Sequence, residues 1–161
     1  MSGARLSLGS GEANVATGIP VLDHLLVELA RAGGFVLALE IDPGDPEAEV
    51  DAAGVSLGAV VGPLLAEGAH GDATVAADEA LAMVVVERSG RPLVASNADL
   101  RGVGGLGSDL AARFLTGLAN EAGLTLHVRL IEGSETAHVL EAIFKALGVA
   151  LSRAVSPAHG S

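Results

Sequence analysis

The side chains best suited to chemistry in this chain are His24, His127 and His138, with the carboxylates Glu47, Asp51 and Glu141. Imidazole nitrogens and carboxylate oxygens together suit a borderline divalent ion such as Mn²⁺, and histidine also moves protons near neutral pH. His24 sits in VLDHLL at a helix start, beside Asp23. His127 interrupts an apolar strand and points away from Leu126 and Val128, because side chains alternate across a strand. His138 precedes Glu141 by three residues near another helix start, and Glu47 and Asp51, four apart, share one helical face. Each also has a plainer reading. A lone histidine in an apolar segment is commonly a satisfied structural group, and acidic residues at a helix start suit the macrodipole while staying solvated. His70, in the glycine-rich EGAHGD, reads as a solvated loop residue, and His159 lies in a polar tail.

Other catalytic patterns are absent. GVGGLG neither follows a strand nor opens a helix with an acid downstream, so it is no dinucleotide fingerprint. The sequence contains no phosphate-loop GK[ST] and no H-E-x-x-H.

Two segments that could position these groups read alike. LVELARAGGFVLALEIDPG begins at Leu26 and LTGLANEAGLTLHVRLIEG at Leu115. Each runs from helix through glycine to apolar strand and acidic turn. Each is followed by a further helix, over Glu47–Leu65 and Thr136–Arg153. Each is preceded by a predicted strand pair, Ala4–Leu8 with Ala13–Thr17, and Leu81–Arg88 with Pro92–Ser96. Ser89-Gly90-Arg91 suits a tight reversal between the latter two. Leu140, Ile143, Phe144, Leu147 and Leu151 form an apolar stripe on the last helix. The expectation is an α+β fold, an internal duplication of two β-β-α-β-α halves, each a small sheet with helices layered on one face. The halves, about 1–75 and 76–157, make one domain over residues 1–161. Arg101–Gly107 reads as a loop and SPAHGS as a frayed tail.

Composition narrows the partners. The 161 residues are 50% hydrophobic and 18% charged, with a net charge of −11, and mean hydropathy is +0.51. A disordered chain needs the opposite balance. Such a charge-poor small domain is expected to bury surface against copies of itself. Lys145 is the only lysine, so neither nucleic acid nor an anionic membrane is an expected partner. No cysteine is present, which removes disulfides and thiolate metal sites. No apolar run reaches the length of a membrane span, and MSGARLSLGS lacks a secretory pattern. The expected location is the cytoplasm.

TGIPVLDHLL, DEALAMVVVERSGRP, AGLTLHVRLIEG and EAIFKAL, in this order and spacing, resemble imidazoleglycerol-phosphate dehydratase of histidine biosynthesis. The resemblance runs over about residues 5 to 155. It implies a duplicated fold of the ribosomal protein S5 domain 2-like kind, trimers that build a 24-subunit shell, and active sites between subunits. The implied reaction removes water from imidazole glycerol phosphate to give imidazole acetol phosphate. Two Mn²⁺ ions would hold the imidazolate ring and stabilise the charge left by proton abstraction, while basic residues hold the phosphate.

Carried over residue by residue, the family's LDHML histidine matches His24 and its LHVR histidine matches His127. Its second-half H-H-x-x-E motif reads Ala137-His138-Val139-Leu140-Glu141, and its first-half H-H-x-x-E-D motif, aligned through GVSLG, reads Glu47-Ala48-Glu49-Val50-Asp51-Ala52. The implied metal ligands are His24, His127, His138, Glu141, Asp51 and Glu47, with Glu141, Asp51 and His24 as catalytic groups. Arg91 and Lys145 are the implied phosphate ligands. An arginine expected before DEAL falls at Ala69, and the family's C-terminal serine- and lysine-bearing segment and N-terminal acidic stretch have no counterpart in this sequence. With i and i+4 on one face and i+1 about 100° away, one metal site would draw on Glu47, Asp51, His138 and one of His24 or His127. The other would meet alanine methyl groups. The expectation is therefore at most one Mn²⁺ per subunit, in an oxygen-rich ligand set. Two alternatives stay open. One is a structural or regulatory subunit, with a complete dehydratase as partner. The other is a protein that binds another imidazole or phosphate ligand with one metal.

Overall fold

The computed structural model describes residues 2–98 and 110–155. The loop expected over Arg101–Gly107 and the tail with His159 lie outside the described residues. The first half runs β1 (Gly3–Leu8), β2 (Ala13–Ala16), α1 (Pro20–Gly33), β3 (Phe35–Glu40) and α2 (Pro46–Val61). The second runs β4 (His70–Ala77), β5 (Ala80–Glu87), β6 (Leu93–Ser96), α3 (Leu110–Ala122), β7 (Thr125–Glu132) and α4 (Thr136–Val155). Pro20 opens α1, and Gly34 in the left-handed region (φ 69°) closes it, its N–H reaching the last carbonyls. Asp45 caps α2 by accepting from the Ala48 N–H at 2.8 Å. That helix ends at Val61, short of the predicted Leu65, in a 3-10 turn containing Pro63.

The sheets repeat one topology. In the first the order is β1-β3-β2, and in the second β4-β5-β7-β6. β3 is antiparallel to β1 and parallel to β2, and β7 stands in the same relation to β5 and β6. The expected strand pairs are corrected on this point. β1 does not bond to β2, nor β5 to β6, because β3 and β7 insert between them. Gly90 (φ 76°) therefore turns the chain across the sheet end rather than through a hairpin, and its N–H donates to the Gly123 carbonyl at 3.0 Å.

β4 is a strand that the sequence reading missed. It pairs antiparallel with β5 from His70↔Glu87 to Ala77↔Ala80, so His70 opens a strand instead of lying in a loop, and it is exposed there. The residue where the halves were expected to join, near 76, falls inside this strand. Its inward side is small, with Gly71, Ala73 and Ala77 buried. A Cβ on Gly71 would collide with the Ala150 carbonyl of α4. Close seating of α4 thus demands residues that carry almost no hydrophobic signal.

Each sheet buries one face. Phe35, Leu37 and Leu39 of β3 point inward, as do Leu126 and Val128 of β7. The helices of one half pack on those of the other, α1 on α4 and α2 on α3. Phe114 and Phe144, both fully buried, stack with centroids 5.5 Å apart and tie α3 to α4. No helix among the described residues is long and apolar enough to cross a membrane.

Candidate active site

The α1–α4 seam brings together His24, Glu141 and Lys145. His24 Nε2 lies 3.4 Å from Glu141 Oε2, and Lys145 Nζ lies 3.2 Å from Glu141 Oε1. Lys145 also reaches Glu28 at 3.6 Å, and Glu28 in turn holds Arg31 at 2.9 Å. The first turn of α1 is anchored by Asp23, whose carboxylate accepts from the Thr17 N–H at 2.8 Å and the Thr17 hydroxyl at 2.5 Å. Partial burial pushes the Glu141 carboxyl up, but the hydrogen bonds from Lys145 and His24 outweigh it and hold it below its ordinary value. Glu141 is therefore a carboxylate at neutral pH. His24 and Glu141 face a groove of about 340 Å³, walled by Pro20, Val21, Leu25, Ala137 and Leu140. An apolar groove with a few convergent polar groups is the usual form of a small-molecule site.

The α2–α3 seam carries the second cluster. Arg113 grips Asp51 with two nitrogens, Nε at 3.1 Å and Nη2 at 2.5 Å, and lies 3.5 Å from Glu47. Hydrogen bonding to Asp51 raises the guanidinium further above its ordinary pKa. Arg113 played no part in the sequence reading. Its signal was present in the repeat: two residues before Leu26 stands His24, and two before Leu115 stands Arg113. Asp51 and Glu141 are related in the same way, as the last acids of the two aligned motifs. Seven residues beyond them lie Gly58 and Gly148. A Cβ on Gly58 would sit 3.0 Å from the Leu118 carbonyl oxygen, and one on Gly148 would collide with the Leu29 carbonyl. Arg113–Asp51 is thus the repeat image of His24–Glu141.

The remaining candidates lie elsewhere. His138 is held between two acids of the β4–β5 turn, with Nδ1 2.6 Å from Glu79 and Nε2 3.3 Å from Asp78. His127 lies on the exposed face of β7, between Val85 of β5 and Ala95 of β6. Arg91 is exposed in the β5–β6 connection, where its backbone N–H donates to Ser89 Oγ at 3.0 Å. Lys145 is engaged by two carboxylates. Among the described residues no three histidine, aspartate or glutamate side chains form a group able to hold a metal ion. One chain does not by itself fit the manganese centre that the resemblance implies: Glu47 and Asp51 bind a guanidinium, and both nitrogens of His138 face carboxylates. A separate hollow of about 470 Å³ on the outer face of the first sheet, around Arg5, Asn14 and Glu40, contains none of the candidate residues.

The His138 clamp yields a pH prediction. The hydrogen bond to Glu79 raises the imidazole above its ordinary 6.5, and the same bond lowers Glu79 below its ordinary 4.5. A raised histidine stabilises the fold fully below pH 6.5 and loses that contribution as pH rises through the raised value. A lowered glutamate contributes above 4.5 and loses its share as pH falls through the lowered value. His138→Gln is thus expected to lower Tm at pH 6 relative to the parent, with the gap shrinking toward pH 9. A gap independent of pH from 6 to 9 rules the clamp out.

The imidazoleglycerol-phosphate dehydratase family model matches residues 17–151, which takes in every candidate residue named above. The chain belongs to the imidazoleglycerol-phosphate dehydratase family. It is 39% identical over 156 residues to the dehydratase of Pelobacter propionicus, covering 91% of this chain and 80% of that one. To the dehydratase of Aromatoleum aromaticum it is 40% identical over 163 residues, covering 94% and 83%. The crystal structure of the Staphylococcus aureus dehydratase superposes with a TM-score of 0.85 at 31% identity, covering 95% of this chain and 92% of that chain. That of Pyrococcus furiosus gives 0.78 at 27% identity, covering 93% and 86%. The expected duplicated α+β architecture is thus the dehydratase fold, and the His24–Glu141 and Arg113–Asp51 seams both fall inside the region matched by the dehydratase family model.

Proposed function

We propose that this chain is a dehydratase of histidine biosynthesis that removes water from imidazole glycerol phosphate to give imidazole acetol phosphate. Family membership supports the reaction class. The observation that carries the reading is Glu141, a carboxylate kept ionised between His24 and Lys145 beside an apolar groove. In the reaction one carbon of the glycerol chain gives up its C–H proton, and the neighbouring hydroxyl takes up a proton and leaves as water. The resulting enol then becomes the ketone. Glu141 and His24, sharing one hydrogen bond, supply a site that takes up one proton and delivers another. Lys145 keeps Glu141 charged, and the wall of Val21, Leu25 and Leu140 excludes water from the ring. Arg91 and Lys145 are proposed to hold the phosphate. The role of His127 as a Mn²⁺ ligand is likewise a proposal from the resemblance, whereas Asp51 and Glu47, which the resemblance also implies, face Arg113, and His138 faces Asp78 and Glu79. Within one chain the described residues do not gather three such ligands.

We also propose a cytoplasmic assembly of copies of this chain, since Leu8, Leu93 and Ile131 stand about half exposed in a charge-poor molecule. Incubating the purified protein with imidazole glycerol phosphate, with and without added Mn²⁺, and following the product by phosphorus NMR tests the reaction. Conversion to imidazole acetol phosphate is the expected result. Unchanged substrate under both conditions overturns the reading and favours a subunit without turnover.

A further inference from the structure

We infer that Arg113 is a built-in cation that takes the place of a divalent ion at the Glu47–Asp51 face, so that the two repeat-related seams of this chain are unequal and the α2–α3 seam is closed to a metal. Three observations carry this. First, Arg113 grips Asp51 with two nitrogens and stands 3.5 Å from Glu47. Both Asp51 oxygens thereby already accept from a full positive charge, in the fork geometry in which arginine binds carboxylate best, so a cation approaching that face meets repulsion as well as competition. Second, the duplication places Arg113 where the other half has His24. A neutral imidazole offers a nitrogen lone pair to a metal. A guanidinium has no acceptor atom and does not lose its proton in proteins. The exchange of histidine for arginine at one repeat position therefore turns a ligand into a competitor. Third, the repeat-equivalent carboxylate Glu141 meets His24 at 3.4 Å and a lysine at 3.2 Å. Lysine binds as a point charge on a flexible stem and is more readily displaced than a planar fork.

The inference rests on the family reading for the expectation of a metal, but its test reads metal binding rather than turnover, so the two fail separately. Bound Mn²⁺ is counted on the intact protein by the loss of the free-ion electron paramagnetic resonance signal. In the parent protein, Asp51→Asn and Glu47→Gln are expected to leave Mn²⁺ binding unchanged. Arg113→His is expected to raise affinity at least tenfold or to add one ion per chain, and Asp51→Asn in that background is expected to abolish the gain. Arg113→Lys, which keeps a cation, is expected to gain less. Loss of parental Mn²⁺ binding in Asp51→Asn overturns the inference, and so does an Arg113→His protein that binds no more than the parent. The Asp51→Asn comparison decides the matter without any change at Arg113.

Discussion

Glu141→Gln is expected to lower kcat for dehydration of imidazole glycerol phosphate by about 10²–10⁴-fold, the usual worth of a positioned acid or base. KM is expected to change by less than about tenfold, because a group that acts in the transition state leaves ground-state binding nearly intact. Glutamine keeps the shape of the side chain and can still accept from His24, but it carries no proton between carbons and oxygens. The change also leaves Lys145 with Glu28 alone. That second effect is small, because Lys145 is partly exposed and keeps Glu28 as a partner, and ion pairs open to solvent contribute about 0.2–1 kcal/mol. The variant should therefore fold and melt almost like its parent while losing most of its turnover. Glu141→Asp is expected to recover part of the loss, since it restores the carboxylate at a greater distance from His24. A Glu141→Gln protein that works at the parental rate would remove the α1–α4 groove from consideration as the site of proton transfer.

The helices and their duplication were readable because apolar residues at helical spacing recur in both halves with the same glycine stops. His127 was placed correctly on the open face of its strand by alternation alone. Strand order was not readable, because β1 and β2 are neighbours in sequence yet β3 lies between them, and local turn chemistry at Ser89-Gly90-Arg91 says nothing about that insertion. β4 escaped notice for a packing reason: Gly71, Ala73 and Ala77 are small so that α4 can approach, and small residues do not mark a strand. The site was legible as a set of residue types but not as a set of partners. Spacing put Glu47 and Asp51 on one face, yet the cation that occupies that face comes from α3, sixty-two residues further on. Only the repeat offset between Leu26 and Leu115 pointed to it. The partners of His138 were hidden in the same way, since the acids that hold it, Asp78 and Glu79, lie in a turn next to a strand that was not recognised.

Gly148→Val is expected to destabilise the protein by about 3 kcal/mol or more, the upper end for forced overpacking in a core. For a chain of this length that corresponds to a fall in Tm of about 6–12 °C. Gly148 is buried on α4, and even a Cβ there would run into the backbone carbonyl of Leu29 on α1. Backbone cannot rotate away as a side chain can, so relief requires the two helices to separate. Gly148→Ala should fall between parent and valine variant, because the gain in helix propensity, about 1 kcal/mol, offsets part of the clash. Gly3, where an added Cβ would meet nothing within 4 Å, is the control: Gly3→Ala is expected to leave Tm within about 1 °C. The equivalent change at Gly58 should cost less, since its Cβ would stand 2.7 Å from Glu121 Cβ and 3.0 Å from the Leu118 carbonyl oxygen, both looser than the contact a Cβ on Gly148 would make with the Leu29 carbonyl. The α1–α4 seam is thus the tighter of the two, and it is also the one that sets the 3.4 Å spacing of His24 and Glu141. Prising it apart should therefore lower turnover in the fraction that remains folded, whereas Gly58→Val should spare it. Equal losses of activity in the two folded variants would mean that the spacing of α1 and α4 does not govern the chemistry.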